Sequence, residues 1–279
     1  MTRKISLVVA TRDRPTDLER LIASLTRVGY ENLEVIVVDQ SAQINSSENE
    51  RIISSSAISS KVIHLKTDTR GLSCARNLGI KYVTGEIIGF PDDDCWYQFG
   101  CLSMVAGVFD ENPKFDFLSG LYTEPGRINL NFPKTRLEIN NLRSAMVPSS
   151  ITLFLRASVV VKSLLKFDER LGAGSRLGML IGEETHLIRR MVIHGLRGLY
   201  DPNIVFFHKI CNKRTSNRAS ELSWGYIHAS DLKDRRALVH AIFSFCKLIY
   251  HVLRGVKPPS SIIWRIRGYL KFFRLGIDY

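Results

Sequence analysis

The 279-residue sequence has few cysteines, and their arrangement fits neither a disulfide framework nor a zinc site. There are five, an odd number, and none lies in a Cys-x-x-Cys pair. Small disulfide-stabilised domains and zinc knuckles need paired, regularly spaced cysteines. We therefore expect the protein to work in a reducing compartment.

Long hydrophobic runs are also absent. The first apolar run, residues 5 to 10, is interrupted by Thr11, Arg12 and Asp13, so it is too short for the core of a signal peptide. No other stretch is an uninterrupted membrane span. These absences predict a cytoplasmic protein.

Two phosphate-binding motifs are missing as well. No Gly-x-x-x-x-Gly-Lys-Ser/Thr sequence occurs, which excludes a P-loop. The stretch GAGSRLG, residues 172 to 178, follows no convincing strand and has the wrong glycine spacing for a dinucleotide fingerprint. Any nucleotide site must therefore use other residues.

Positive charge is in excess. Lysine and arginine number 39 against 27 acidic residues, giving a formal net charge of +12. This balance suits an anionic partner. The candidates are nucleic acid, an anionic membrane surface and a phosphorylated substrate.

The first ninety residues alternate between buried strands and amphipathic helices. ISLVVAT, LEVIVVD, KVIHLK and EIIGF have the apolar composition of strands, and helical patterns lie between the first two and the last two. This order predicts an α/β fold with a mostly parallel sheet flanked by helices. Later segments predict further strands and helices, among them a helix in GEETHLIRRMVIHG and a last strand that ends on His208.

Polar clusters follow three of these strands, at residues 11 to 13, 39 to 41 and 92 to 94. Ligands of open α/β sheets collect at the carboxyl ends of strands. Three adjacent aspartates, Asp92 to Asp94, repel one another unless a cation lies among them. An Asp-x-Asp at a strand end suits Mg²⁺ or Mn²⁺, and the alternative is an acidic surface turn. Arg70 and Arg76 flank the next helix start and are candidate pyrophosphate partners.

Taken together, ISLVVATRDRP, EVIVVDQS, RGLSCARNLGI, IIGFPDDDCWY and GEETHLIRRM resemble a family 2 glycosyltransferase with a GT-A fold, over roughly residues 3 to 210. The resemblance implies an inverting enzyme of the hexosyltransferase type that uses a nucleotide-diphosphate sugar donor and Mn²⁺ or Mg²⁺.

The resemblance also assigns roles to residues of this chain. Thr11, Asp13 and Asp39 are expected to contact the nucleoside, and Arg70 and Arg76 the base edge or the diphosphate. Asp92 is expected to face the ribose and the metal, with Asp93 beside it among the donor-binding residues.

Three further roles follow from the resemblance. Asp94 and His208 are the expected metal ligands. Glu184 is the expected general base, although the family more commonly has aspartate at this position. The loop GAGSRLGMLIGEE, residues 172 to 184, is expected to close over the sugar.

The C-terminal segment is basic and rich in aromatic residues. Between residues 233 and 279 there are ten basic residues and two acidic ones. Two amphipathic helical patterns, separated by Pro258 and Pro259, suit a membrane interface. The alternative is a helical pair that covers the sheet or forms a dimer. We predict a glycosyltransferase domain over residues 1–215 and a basic amphipathic helical extension over 216–279.

The sequence therefore predicts an enzyme that adds a sugar to a lipid-linked or polysaccharide acceptor at the cytosolic face of the membrane, with peripheral contact to anionic lipid. One alternative is a nucleotidyltransferase that makes a sugar nucleotide, although VATRDRPTDL lacks the expected glycine-rich loop. The other is a basic nucleic-acid-binding module, but the basic residues cluster in an apolar tail.

Overall fold

A mixed sheet of eight strands forms the centre of the part of the chain that the structure describes. The computed structural model describes residues 2–161, 166–210, 218–233 and 235–275. Cys211 and the predicted domain boundary between residues 215 and 216 lie outside these ranges. The strands are β1 (Ile5–Thr11), β2 (Leu33–Asp39), β3 (Val62–Lys66), β4 (Ile87–Gly89), β5 (Phe117–Thr123), β6 (Leu137–Ile139), β7 (Leu153–Arg156) and β8 (Gly198–Phe207).

The sheet has the order β3-β2-β1-β4-β7-β5-β8-β6. β1 pairs in parallel with both β2 and β4, and β2 pairs in parallel with β3. β7 is antiparallel to β4 and to β5, β8 is parallel to β5, and β6 is antiparallel to β8. The parallel half is thus built from the alternating elements that the sequence predicted.

Helices cover both faces of the sheet. They are α1 (Pro15–Thr26), α2 (Gln43–Ser55), α3 (Leu72–Ile80), α4 (Cys101–Glu111), α5 (Ser158–Val161), α6 (Glu183–Ile193), α7 (Arg218–Ser230), α8 (Arg235–Leu253) and α9 (Ser260–Arg274). One buried cluster joins one face of the sheet to α1 and α4, and a second joins the other face to residues of α3 and α6. Two layers of helix around a sheet leave the strand ends open to ligands.

The C-terminal helices pack on the rest of the molecule through α7 and α9. Gly225 and Gly268 let these two helices approach closely, because a Cβ on Gly225 would lie 2.0 Å from the carbonyl oxygen of Arg265. A third buried cluster joins both helices to the loop before α6 through Leu171, Met179 and Tyr226. Arg189 of α6 also forms a buried ion pair with Asp231, which follows α7.

Helix α8 has its apolar face outward. Among the exposed large side chains are Val239, Ile242, Phe243 and Leu253, whose exposed fractions are between 55% and 81%. The polar side is turned inward, where Ser244 accepts a hydrogen bond from Arg265 at 3.2 Å. A search of the described residues finds no helix with the length and apolar character needed to cross a membrane.

Candidate active site

The polar residues at the strand ends meet at one edge of the sheet. Thr11 ends β1 and Asp39 ends β2, and these two residues are partners in the parallel register. Asp92 follows β4 and forms an isolated bridge with Ala10 of β1. His208 directly follows β8. This edge therefore gathers residues that the sequence separates by almost two hundred positions.

Asp92, Asp94 and His208 form a cluster with the composition of a divalent-cation site. One ligand atom from each side chain lies within 4.8 Å of the others. His208 Nδ1 is 2.7 Å from the Lys209 carbonyl oxygen, which only accepts, so Nδ1 carries a proton and Nε2 faces the cluster. Two carboxylates and one imidazole suit Mn²⁺ or Mg²⁺ with open positions for phosphate oxygens. The side chains present fit the cation that the sequence predicted.

The charges within this cluster are coupled. Burial acts to raise the pKa of Asp94, but His208 and Arg14 outweigh it and lower that pKa to about 2. Burial acts to lower the pKa of His208, but the hydrogen bond and the charge of Asp94 raise it above its usual value. His208 Nε2 lies 3.1 Å from Asp94 Oδ1. A proton and a metal cation therefore compete for His208 Nε2.

Asp93 points into the protein, unlike its two neighbours. Its side chain is fully buried, where Thr11 Oγ1 donates a hydrogen bond to Asp93 Oδ2 at 2.8 Å and Arg14 forms an ion pair with it. Burial raises the pKa of Asp93 to about 6, although Arg14 and Thr11 oppose this shift. Thr11 and Asp93 thus bind each other, and their contact with a donor stays a prediction.

Asp13 and Asp39 hold the loops that follow β1 and β2. Asp39 accepts hydrogen bonds from the Ser41 backbone at 2.9 Å and from Asn49 at 3.1 Å, and it lies 3.1 Å from His64 Nε2. Burial opposes ionisation of Asp39, but these partners keep its pKa below the usual range. Asp13 has a φ of 57° and accepts a hydrogen bond from the Ala42 backbone at 2.8 Å. The expected nucleoside contacts of both residues stay predictions.

Arg76 connects the acidic run to the first turn of α6. Its side chain is fully buried, with Nη2 2.8 Å from Asp92 Oδ1 and Nη1 3.0 Å from Glu183 Oε1. Its guanidinium is thus paired with two protein carboxylates, while Arg70 is exposed to solvent. A contact of either arginine with the donor stays a prediction.

Glu183 and Glu184 begin α6 in different environments. Gly182 precedes them with a φ of 86°, a left-handed conformation that glycine adopts without strain. Glu183 is buried and paired with Arg76, whereas Glu184 is half-buried. Burial, followed by the charge of Glu183, raises the pKa of Glu184 well above the usual range of a carboxyl group. Glu184 is therefore a carboxylate that holds a proton readily, as a general base requires.

The loop between residues 171 and 182 is held at its start and at its middle. Ser73 Oγ donates to the Leu171 carbonyl at 2.7 Å, and the Leu72 backbone donates to the Ala173 carbonyl at 2.9 Å. On the other side, Lys271 Nζ of α9 donates to the Leu177 carbonyl at 2.7 Å. The loop expected to close over the sugar thus links α3 to α9, and its closure stays a prediction.

The sequence model of the family described as glycosyl transferase family 2 matches residues 6–160, more than half of the chain. The chain belongs to this family. The match extends from the second residue of β1 through β7 and includes the acidic run Asp92 to Asp94. Family membership favours glycosyl transfer over the two alternatives that the sequence left open.

Three curated relatives are similar to parts of this glycosyltransferase. An uncharacterized glycosyltransferase of Haemophilus influenzae is 29% identical over 116 residues, 41% of this chain and 37% of the relative. The minor teichoic acid biosynthesis protein GgaB of Bacillus subtilis is 28% identical over 169 residues, which are 55% of this chain and 18% of the relative. A GalNAc(5)-diNAcBac-PP-undecaprenol beta-1,3-glucosyltransferase of Campylobacter jejuni is 25% identical over 135 residues, which are 48% of this chain and 44% of the relative. The chain thus spans less than half the length of these relatives.

Solved structures confirm the predicted fold. S. aureus TarS 1-349 in complex with UDP-GlcNAc matches with a TM-score of 0.68 and 19% identity, covering 96% of this chain and 81% of that one. The mannosyltransferase PcManGT of Pyrobaculum calidifontis, in complex with GDP-Man and Mn²⁺, matches with a TM-score of 0.64 and 15% identity. The match covers 99% of this chain and 89% of PcManGT. The glycosyltransferase therefore has the mixed, helix-flanked sheet of the GT-A fold.

Two arginines of this glycosyltransferase belong to the site although sequence reasoning did not select them. Arg14 lies 3.1 Å from Asp94 Oδ2 and also pairs with Asp93. Arg20 donates to the Asp94 carbonyl oxygen at 2.9 Å and lies over the Trp96 ring. Their position after the first strand end, in the stretch TRDRPTDLER, was the available signal.

Proposed function

We propose that this glycosyltransferase is inverting and metal-dependent, and that it moves a sugar from a nucleotide diphosphate to a hydroxyl group of a lipid-linked or polysaccharide acceptor. The observation that carries the proposal is the connection from Asp92 through Arg76 to Glu183, beside Glu184. It joins the cation cluster to the residue that precedes Glu184 at the start of α6.

The cluster of Asp92, Asp94 and His208 acts on the sugar donor. Asp92, Asp94 and His208 would hold Mn²⁺ or Mg²⁺, which when bound neutralises the charge of a departing diphosphate. Arg14 holds Asp94 and Asp93 in place, and the hydrogen bond from His208 Nδ1 to Lys209 fixes the imidazole ring. The complexes of structural neighbours with UDP-GlcNAc, and with GDP-Man and Mn²⁺, support a donor of this class.

The acceptor half belongs to Glu184. Its carboxylate takes the proton from the acceptor hydroxyl while the oxygen attacks the anomeric carbon. The new C–O bond forms as the bond to the diphosphate breaks, so one displacement inverts the anomeric configuration. Glu183 contributes differently, because its carboxylate is paired with the buried Arg76 guanidinium.

The outward apolar face of α8 supports peripheral membrane contact. Side chains such as Val239, Ile242 and Phe243 are more than half exposed. Large exposed apolar patches mark interaction surfaces, and basic residues around such a patch favour anionic lipid. The undecaprenol-linked acceptor in the name of the Campylobacter jejuni relative supports an acceptor that is itself held at a membrane.

A donor panel tests the proposed reaction. The protein is incubated with a set of sugar nucleotides, with Mn²⁺ or with a chelator, and release of nucleoside diphosphate is measured. We expect release from one donor or a small group of donors, and only with the cation. If no donor is consumed and no nucleoside diphosphate binds, the proposal is wrong.

A further inference from the structure

A basic pocket lies between the loop before α6 and the helices α7 and α9. Its volume is about 740 Å³, within the range of small-molecule sites. The loop contributes Leu177 and Leu180, α7 contributes Arg218, and α9 contributes Trp264 and Arg267. Neither the fold nor the proposed donor chemistry uses this pocket.

The charge of the pocket is of one sign. Arg218, Arg267, Lys271 and Arg274 line it, and no carboxylate occurs among the lining residues that the structure describes. The guanidinium carbons of Arg218 and Arg267 lie 4.0 and 4.4 Å from the centroid of the Trp264 ring. Four cations around one pocket, two of them over the same ring, repel one another, so a bound anion would stabilise the arrangement.

Among the residues that the structure describes, the buried carboxylate of Glu221 on α7 is already paired. Glu221 of α7 is engaged by Arg265 and by Lys257, whose Nζ is 2.6 Å from Glu221 Oε1. Burial and the charge of Arg218 lower the pKa of Lys271, while its Nζ donates to the Leu177 carbonyl. Arginine forks beside an open cavity are well suited to phosphate oxygens.

An apolar groove of about 420 Å³ lies between α8 and α9. Ile242 and Phe245 of α8 line it, together with Ile266 and Phe273 of α9. Leu270 lines both the groove and the basic pocket, so the two spaces adjoin. An anionic group and a hydrocarbon chain would thus find complementary surfaces side by side.

We propose that the basic pocket binds the phosphate of a lipid-phosphate acceptor, whose hydrocarbon chain lies in the α8–α9 groove. This inference rests on the proposed function. Leu180 precedes Glu184 by four residues, so the pocket rim lies within about 14 Å of the general base along the chain. A phosphate held there would leave the attached sugar in reach of Glu184. A concave basic pocket beside an apolar groove fits one phosphate with its chain, whereas a flat bilayer surface needs neither.

Calorimetric titration of the full chain tests the inference, with dodecyl phosphate below its micelle concentration as the probe. Inorganic phosphate and the neutral dodecyl maltoside are titrated in parallel. The variants are Arg218→Gln/Arg267→Gln for the pocket and Phe273→Gln for the groove, and all three side chains are exposed. Arg143→Gln, an exposed arginine outside the pocket, is the matched control.

We expect dodecyl phosphate to bind the wild type more tightly than either parallel compound. Arg218→Gln/Arg267→Gln should weaken dodecyl phosphate binding by roughly tenfold or more per lost charge, because each removes a hydrogen bond to a charged group. Phe273→Gln should weaken dodecyl phosphate but leave inorganic phosphate unchanged, and Arg143→Gln should behave as wild type.

Three results would overturn the inference. The first is equal affinity of Arg218→Gln/Arg267→Gln and of the wild type for dodecyl phosphate. The second is equal affinity of the wild type for inorganic phosphate and for dodecyl phosphate. The third is full displacement of dodecyl phosphate by phosphatidylcholine vesicles that contain phosphatidylglycerol. The last result would assign the pocket to bulk membrane lipid. Donor consumption is measured separately, so failure of the proposed reaction and failure of this site are distinguishable.

Discussion

At the residue scale, two neighbouring glutamates at the start of α6 have different roles. Glu183 is buried and its carboxylate is 3.0 Å from Arg76, while Glu184 has a raised pKa. The carboxylate of Glu183 thus holds the buried Arg76 guanidinium. We therefore assign proton transfer to Glu184 and the positioning of Arg76 to Glu183.

Substitution of Glu184 tests this division. Glu184→Gln keeps the size and hydrogen-bonding reach of the side chain but removes its ability to accept a proton. Turnover should fall by roughly 10²- to 10⁴-fold, the usual contribution of a general base. Donor affinity, measured by calorimetry, should hardly change, because the acceptor hydroxyl is the partner of Glu184.

The pH profile supplies the control. Glu184 must be deprotonated to act, so kcat/KM of the wild type should rise with pH through the raised pKa of Glu184, above the usual value of 4.5. Glu183→Gln should retain an acid limb, moved to lower pH because the charge of Glu183 contributes to the raised pKa of Glu184, and it should lose stability, since Arg76 loses a partner. If Glu183→Gln lacks the limb and Glu184→Gln retains turnover, the base has been assigned one residue out of register.

At the element scale, the sequence predicted the buried strands well and the peripheral elements poorly. β1 and β2 have the predicted bounds, because continuous β-branched runs have few alternatives to a covered parallel strand. Helix α2 lies in a segment rich in serine and asparagine that gave no helical pattern, and few of its residues are buried. The three-residue edge strand β6 is too short to leave a pattern.

The site shows the same division. Asp39, Asp92, Asp94 and His208 follow strands, so the sheet predicts that they converge. The pairing of Arg76 with Glu183 joins residues 107 positions apart, and no local pattern indicates it. The C-terminal segment contains α7, α8 and α9, of which α7 and α9 pack against the loop before α6, a contact that no local pattern indicates.

The contact between α7 and α9 leads to a prediction of stability. A Cβ on Gly268 would lie 2.2 Å from the Leu222 carbonyl oxygen, so Gly268→Ala must push the two helices apart. We expect the melting temperature to fall by several degrees, as for overpacking of about 1–3 kcal/mol. Gly107→Ala is the control, because nothing lies within 4 Å of its Cβ and alanine favours a helix. A higher melting temperature for Gly268→Ala would contradict the packing.

At the scale of the whole molecule, the proposed membrane contact combines the excess positive charge with the outward apolar face of α8. Val239→Ser/Phe243→Ser removes two side chains that are 69% and 68% exposed, so folding should be preserved. Sedimentation with anionic vesicles should weaken by roughly tenfold or more per side chain, given the apolar surface withdrawn from the membrane.

Ile44→Ser is the matched control for vesicle binding, because Ile44 is 80% exposed on the distant helix α2. It should sediment with vesicles as the wild type does. Unchanged sedimentation of Val239→Ser/Phe243→Ser would show that the apolar face of α8 does not contact lipid.

We propose that a divalent cation and a nucleotide diphosphate bind together at Asp92, Asp94 and His208. The most direct test is the shift in melting temperature produced by a panel of nucleoside diphosphates and sugar nucleotides, with and without Mn²⁺, in the wild type and in Asp94→Asn. A ligand that binds the folded state raises its melting temperature by mass action. We expect at least one nucleotide to produce a shift that depends on Mn²⁺ in the wild type and is largely lost in Asp94→Asn, because one charged ligand is removed beside the diphosphate. An equal, Mn²⁺-dependent shift in Asp94→Asn would contradict this proposal.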